Sequence, residues 1–429
     1  MMNDLTKHIS TDRQRIHQLI FFYSIIFLAV TLPFSIKANR YAIITLVINW
    51  LLEGNFRLKF KSLNRNWIFL SIACFYVLHL VALIYTDNIK EGFFQLEKKL
   101  PLVVITLVVI TSQKLNQIQF KKILFCFFFS ILLSSVICLG YAFHRNNYLE
   151  TFHNPVWFYF SYNDLTEIID IQPNYLAVYV SFSIFILFYF MTADWDRYRM
   201  PRKLTISFTI LYLVFFLLLL AGRTPIAATI LVLFCFSVYS FYKSNKLFKG
   251  LIILGISGMV LIGIIYNIPI VKERLWQTFG IDQKSVWISQ MGDGKGGLPS
   301  VRLLKWESAW KIIKTNWLIG IGPGDVQDVL QVEYKRIGFD LAFNERYNPH
   351  NQFLQTWLGI GILGLVSFLG CFVSHIIMHK ERNFLNLSFI ALIFLCCITE
   401  SMFERQLGIT FFGLFSSLFA FHSYAEFSE

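Results

Sequence analysis

Residues 211–220 read LYLVFFLLLL, a block without a charged side chain. Such a block has no alternation between polar and apolar positions, so it does not fit a strand of a membrane β-barrel. Apolar runs of about 17 to 25 residues recur along the chain, each long enough to cross a hydrocarbon core of about 30 Å as a helix. Only 15% of the 429 residues are charged, where a soluble domain carries roughly a quarter. These features predict an all-α polytopic membrane protein.

About twelve spans are expected, at 18–36, 39–53, 67–86, 100–112, 123–143, 173–192, 204–222, 226–242, 250–266, 353–376, 384–402 and 408–424. The first apolar block, from Gln18 to Ile36, lacks a small-residue cleavage site and reads as a retained helix. Basic residues gather in every second connection, as in RLKFKSLNRN, DWDRYRMPRK and KSNKLFK. The positive-inside rule then places those connections and both termini in the cytoplasm. The net charge of +12 is accounted for by this orientation signal, and nucleic acid is not expected as a partner. The seven cysteines all fall inside apolar runs, so a disulfide framework in an exported loop is not expected.

One connection is different. Residues 267–349 form a long mixed segment on the outer side, expected to be a small extracytoplasmic domain containing short helices. It separates a first group of spans within 1–266 from a last group within 350–429. Long segments translocate largely regardless of charge, so its basic content leaves the topology intact. MGDGKGGLPS within it lacks the GK[ST] ending of a phosphate-binding P-loop.

Three outward-facing places carry candidate chemistry. In AGRTP, Arg223 stands between two spans that almost touch. It fits either an interfacial arginine reaching the surface or an anion site at the start of the next helix. In VRLLKWESAWKIIKTNWLIGIGPGD, the residues Arg302, Lys305, Trp306, Ala309 and Ile313 follow a helical period that stops at the glycines. That helix either lies on the bilayer or lets Arg302 grip phosphate oxygens. In YNPHNQFLQTWLGIGILG, Pro349 and Asn351 flank His350 at the mouth of a span. An imidazole there suits a general base working near neutral pH. His375 and His379 are spaced i,i+4, but no carboxylate or cysteine arrangement completes a metal site. No paired carboxylates or DxD-like cluster stands in an outer loop to hold Mg²⁺ on a diphosphate, so no metal or cofactor is expected.

Taken in order, AGRTP, NWLIGIGPGD, HNQFLQTWLGIGILGL and TESMFERQLGITFFGLFSSLF resemble the O-antigen ligase and polymerase superfamily, with further likeness in QLEKKLPLVVITLVV and QPNYLAVYV. The resemblance implies a metal-independent, inverting glycosyltransferase at the periplasmic face of the bacterial inner membrane. Its donor would be a glycan on undecaprenyl diphosphate, and its acceptor the lipid A–core oligosaccharide or another glycan chain. Membrane lipids would surround it. By position, His350 matches the family's loop histidine, Arg302 its loop arginine and Arg223 its membrane-proximal arginine, although Arg223 follows Ala-Gly where a Ser often precedes it. His350 is then the expected base, with Arg223, Arg302 and Asn351 binding substrate. An ion pair between helices is expected for the cluster Glu400, Glu404 and Arg405. Ligase and polymerase remain open alternatives. A lipid-glycan flippase fits less well, because the charges cluster in loops and not along a path through the spans.

Overall fold

The computed structural model describes residues 2–61, 63, 66–112, 115–148, 158–193, 198–243, 301–378 and 384–425. Helix accounts for 86% of it, and the described residues contain no strand. In chain order the helices are α1 (Met2–Thr31), α2 (Ile36–Glu53), α3 (Phe56–Lys61), α4 (Trp67–Val81), α5 (Ile89–Thr111), α6 (Gln117–Tyr148), α7 (Tyr162–Thr166) and α8 (Pro173–Ala193). They continue with α9 (Met200–Leu219), α10 (Arg223–Lys243), α11 (Val301–Asn316), α12 (Val326–Arg336), α13 (Asp340–Asn344), α14 (Gln352–Met378), α15 (Phe384–Thr399) and α16 (Gln406–Ala425).

Among the described residues, seven helices are long and apolar enough to cross a membrane, from Asp12–Thr31 to Gln352–Met378. Two shorter apolar helices, Phe384–Thr399 and Gln406–Ala420, accompany them. The chain is an all-α polytopic membrane protein, but the expected twelve spans are not all reached. The ninth, 250–266, lies outside the described residues, as does the glycine-rich stretch 291–300. The second expected span falls on α2, which carries Lys37, Arg40 and Glu53. The fourth falls on α5, which starts well before residue 100 and takes Lys98 and Lys99 into the helix.

The chain divides into two compact units. The first comprises Met1–Ser130, Arg302–Leu387 and Cys397–Glu429. Within it α16 packs along α5, α14 along α4, and α1 along α2. Its helices begin where short polar side chains cap free N–H groups: Ser35 for α2, Asn66 for α4 and Asn88 for α5. Helix–helix association inside a bilayer rests on close packing, and an aromatic cluster supplies it here. Phe368 meets Phe75 and Phe403 at centroid distances of 5.4 and 5.0 Å, and Phe403 meets Phe412 at 5.0 Å.

A kink in α14 fixes the chain that leads to it. Ile360 and Gly361 leave helical geometry, Gly361 with φ +67°. The break frees the carbonyls of Leu358 and Gly359, which accept from the N–H groups of Ile321 and Gly322 at 2.8 and 3.1 Å. In return, the Ile362 N–H donates to Trp317 O at 3.0 Å. A Cβ on Gly361 would stand 2.2 Å from Leu318 O, so only glycine permits this approach. The same turn is held from its other side. Asp325 accepts from the N–H groups of Asp87 and Asn88 at 2.8 and 2.7 Å. The glycines of NWLIGIGPGD therefore dock a turn onto α14 and the α4–α5 connection, and α11 itself already ends at Asn316.

The second unit comprises Ile131–Val301 and Ser388–Cys396. Helix α8 is buried continuously from Tyr175 to Leu187, with α9 and α10 packed against it. Between α9 and α10, Ala221 takes a left-handed conformation with φ +51°. Gly222 presses on α8, where an added Cβ would lie 2.8 Å from the Ala177 Cβ.

Candidate functional site

All features of this site lie in the first unit. The turn Tyr347–Asn351 delivers the histidine. His350 has φ +48°, a region that non-glycine residues seldom occupy and that costs of order 1–3 kcal/mol. The side chain of Asn348 offsets part of that cost by accepting the His350 N–H at 2.9 Å. Asn351 then starts α14. Its Oδ1 accepts the Leu354 N–H at 3.1 Å and its carbonyl accepts the Gln355 N–H at 2.9 Å, the two bonds of a helix N-cap.

This turn faces the α15–α16 connection. His350 Nδ1 lies 3.4 Å from Glu400 Oε1, with the two side chains 32% and 20% exposed. Burial pushes the Glu400 carboxyl upward. The imidazole, the Ser401 backbone N–H and the ammonium of Lys305 outweigh burial and hold it below its ordinary value. An ionised carboxylate only accepts hydrogen bonds, so the proton of a neutral imidazole belongs on Nδ1. The lone pair then sits on Nε2, which has no hydrogen-bond partner among the described residues.

Beside this pair stand two groups from α11 and the turn. The Lys305 ammonium lies 4.6 Å from the centre of the Tyr347 ring, and that ring meets the His350 ring edge-on at 5.9 Å. Burial, and after it the nearby Arg302, lower the Lys305 pKa to about 8, with Glu400 opposing the shift. Arg302 is exposed on the first turn of the same helix.

A second acid–base pair braces the first. Glu404 Oε1 accepts from Lys99 Nζ of α5 at 3.0 Å, and that lysine is only 2% exposed. Gln352 ties the two turns together: its Oε1 accepts the Phe403 N–H at 2.7 Å and its amide donates to Glu404 at 3.4 Å. Burial raises the Glu404 carboxyl, but Lys99 and Lys98 bring it below its ordinary value. The ion pair expected of the Glu400–Glu404–Arg405 cluster thus forms with Lys99, a partner from α5, and Glu400 turns to His350 instead.

Of the residues singled out from sequence, His350, Asn351 and Arg302 fall in this unit. Arg223 belongs to the second unit, where it is the exposed first residue of α10. His375 is buried and pairs through Nδ1 with Asn386 at 2.9 Å; His379 lies outside the described residues. Sequence reasoning did not single out Glu400 as the histidine's partner, nor Lys305 and Tyr347 as its neighbours. The signal for Glu400 was present, since an acid at the end of an expected apolar span has few reasons to be there.

No curated protein matches the chain. The family model for O-antigen ligase matches residues 208–369. The matched stretch runs from within α9 to within α14 and includes Arg223, Arg302 and His350. With the multi-pass helical fold, this match makes the chain similar to O-antigen ligases over that stretch and supports a ligase- or polymerase-type function in general, with a lipid-linked glycan and an acceptor as partners.

Proposed function

We propose that this protein is an inverting glycosyltransferase that moves a glycan from undecaprenyl diphosphate to a hydroxyl of the lipid A–core at the periplasmic face of the inner membrane. In this reading both termini are cytoplasmic and residues 267–349 are the periplasmic segment. The observation that carries it is the contact between His350 Nδ1 and Glu400. It leaves Nε2 as the base, on a side chain that solvent and substrate reach.

The reaction is a single displacement. His350 Nε2 takes the proton of the acceptor hydroxyl, whose oxygen forms a bond to the anomeric carbon. The bond from that carbon to the diphosphate oxygen breaks, and the electron pair leaves with the diphosphate. Arg302 is the cation of this unit proposed to meet the charge as it develops, and a preorganised cation at a leaving group is an effective way to lower such a barrier. Arg223 is proposed as a further phosphate-binding arginine from the resemblance alone. The imidazolium formed is stabilised by Glu400, in the role a carboxylate plays behind the histidine of a catalytic triad. Asn351 keeps its side-chain amide N–H groups available for substrate, while its oxygen caps α14.

A deletion strain tests the reading. Unmodified core together with long lipid-linked chains supports a ligase. A single repeat unit on the core supports a polymerase built on the same chemistry. Normal surface polysaccharide in that strain contradicts both.

A further inference from the structure

Lys305 carries its charge into a largely covered place. It is 7% exposed, and lysines are almost never this buried without a partner. Its ammonium has three N–H donors. Among the described residues none of them has a hydrogen-bond acceptor, and no carboxylate stands at ion-pair distance. What it does have is the face of Tyr347 and, close enough to shift its titration, a second cation in Arg302 and the Glu400 carboxylate, which acts the other way. A helix that buries one cation and sets another a turn away from it loses stability to desolvation and like-charge repulsion. An anion of more than one charge entering between them adds to the compensation that Glu400 already gives the lysine. Tyr347 links this place to the chemistry, since one ring separates the ammonium from the His350 imidazole.

We infer that Lys305 is a phosphate-binding residue, whose ammonium donates to an oxygen of the lipid-linked diphosphate so that the anomeric carbon lies at His350. This inference rests on the proposed glycosyl transfer for the identity of the ligand, and it adds a third cation to those expected from sequence. Arg302 reaches the same anion from the first turn of α11, where the helix N-terminus also favours negative charge. The groups facing the Lys305 ammonium are Tyr347, Arg302 and Glu400, with His350 behind the tyrosine ring. Of these, Glu400 is the one that keeps the lysine protonated, and Arg302 works against it.

The test uses the full-length protein in phosphatidylcholine nanodiscs, with farnesyl diphosphate as the probe. Lys305→Met keeps the aliphatic stem against Tyr347 and removes the charge. Its expected effect is a Kd raised at least about tenfold, the usual scale for a hydrogen bond to a charged group. Lys311→Met, an exposed lysine on the same helix, should change Kd less than about twofold. Unchanged binding in Lys305→Met, or an equal loss in both variants, overturns the inference. Inorganic pyrophosphate binding as tightly as the probe, or phosphatidylglycerol in the disc displacing it, overturns the assignment to a lipid-linked diphosphate. If Lys305→Met does not accumulate, Lys305→Arg decides. Binding should survive at pH 9 in that variant and weaken in the wild type, and the same pH dependence in both overturns the inference.

The base assignment fails separately. If His350→Ala retains transfer while Lys305→Met loses the probe, the anion site stands and the proposed chemistry falls. If His350→Ala is inactive while Lys305→Met transfers with an unchanged donor KM, Lys305 alone is wrong.

Discussion

Glu400 and Glu404 leave the same short connection between α15 and α16, and each meets a basic side chain from a distant part of the chain. Glu404 meets Lys99 at 3.0 Å with the lysine 2% exposed, and Gln352 and the aromatic cluster around Phe403 close over the pair. Glu400 meets His350 at 3.4 Å with the imidazole 32% exposed. The first pair is the more buried and joins α5 to the connection between the last two helices. The second is more exposed, looser, and built on a residue with a left-handed backbone. A buried ammonium held by a carboxylate suits a structural tie, and a partly exposed imidazole suits a reaction. The two pairs are coupled, because Gln352 follows the histidine by two positions and bonds the segment that carries both acids.

Breaking the buried pair should have the largest effect. Lys99→Met leaves Glu404 buried without its partner and is expected to cost about 3–5 kcal/mol of stability, read as a lower melting temperature in detergent and less protein in the membrane. Lys99→Met combined with Glu404→Leu should recover most of that loss, since replacing both members of a buried pair with apolar groups is often neutral. The exposed pair should respond the other way. Glu400→Gln is expected to leave the melting temperature within a few degrees while transfer falls by up to about 10⁴-fold, the scale of the carboxylate-to-amide change behind a catalytic histidine. No second substitution at His350 should rescue it. An equal loss of stability in Lys99→Met and Glu400→Gln would erase the distinction between the pairs.

The smallest of these effects is in the pH profile. Transfer requires neutral His350 and, on the inference above, protonated Lys305. It should fall as pH climbs through about 8, where the Lys305 ammonium is lost. The decline should approach about tenfold per pH unit and should move to higher pH in Lys305→Arg, because a guanidinium stays charged. An alkaline limb that stays in place in that variant would remove Lys305 from the profile.

The helical membrane fold was legible because apolar blocks such as 211–220 admit no other structure in hydrocarbon. The start of α5 was not. A charge-averse reading begins a span at residue 100, whereas the helix begins at Ile89 and shelters Lys99 because Glu404, far along the chain, compensates it. Such a partner is invisible to any local window. His350 was legible from its setting, with Pro349 before it and a capping Asn351 after it. Its acid was not, because Glu400 is brought there by the packing of α14 and of the last connection. Lys305 was legible only as one position of a helical period; packing turned it toward Tyr347 and left exposed Leu303 and Trp310 on the other side of α11.

The central claim is that His350 is the base. The measurement is transfer of the lipid-linked glycan by His350→Ala, in the deletion strain and at wild-type abundance in the membrane. Positioned general-base catalysis is worth about 10²- to 10⁴-fold. The expected result is therefore a loss of at least that order, with the lipid-linked donor accumulating and the melting temperature unchanged. Wild-type transfer by a folded His350→Ala protein would contradict the assignment.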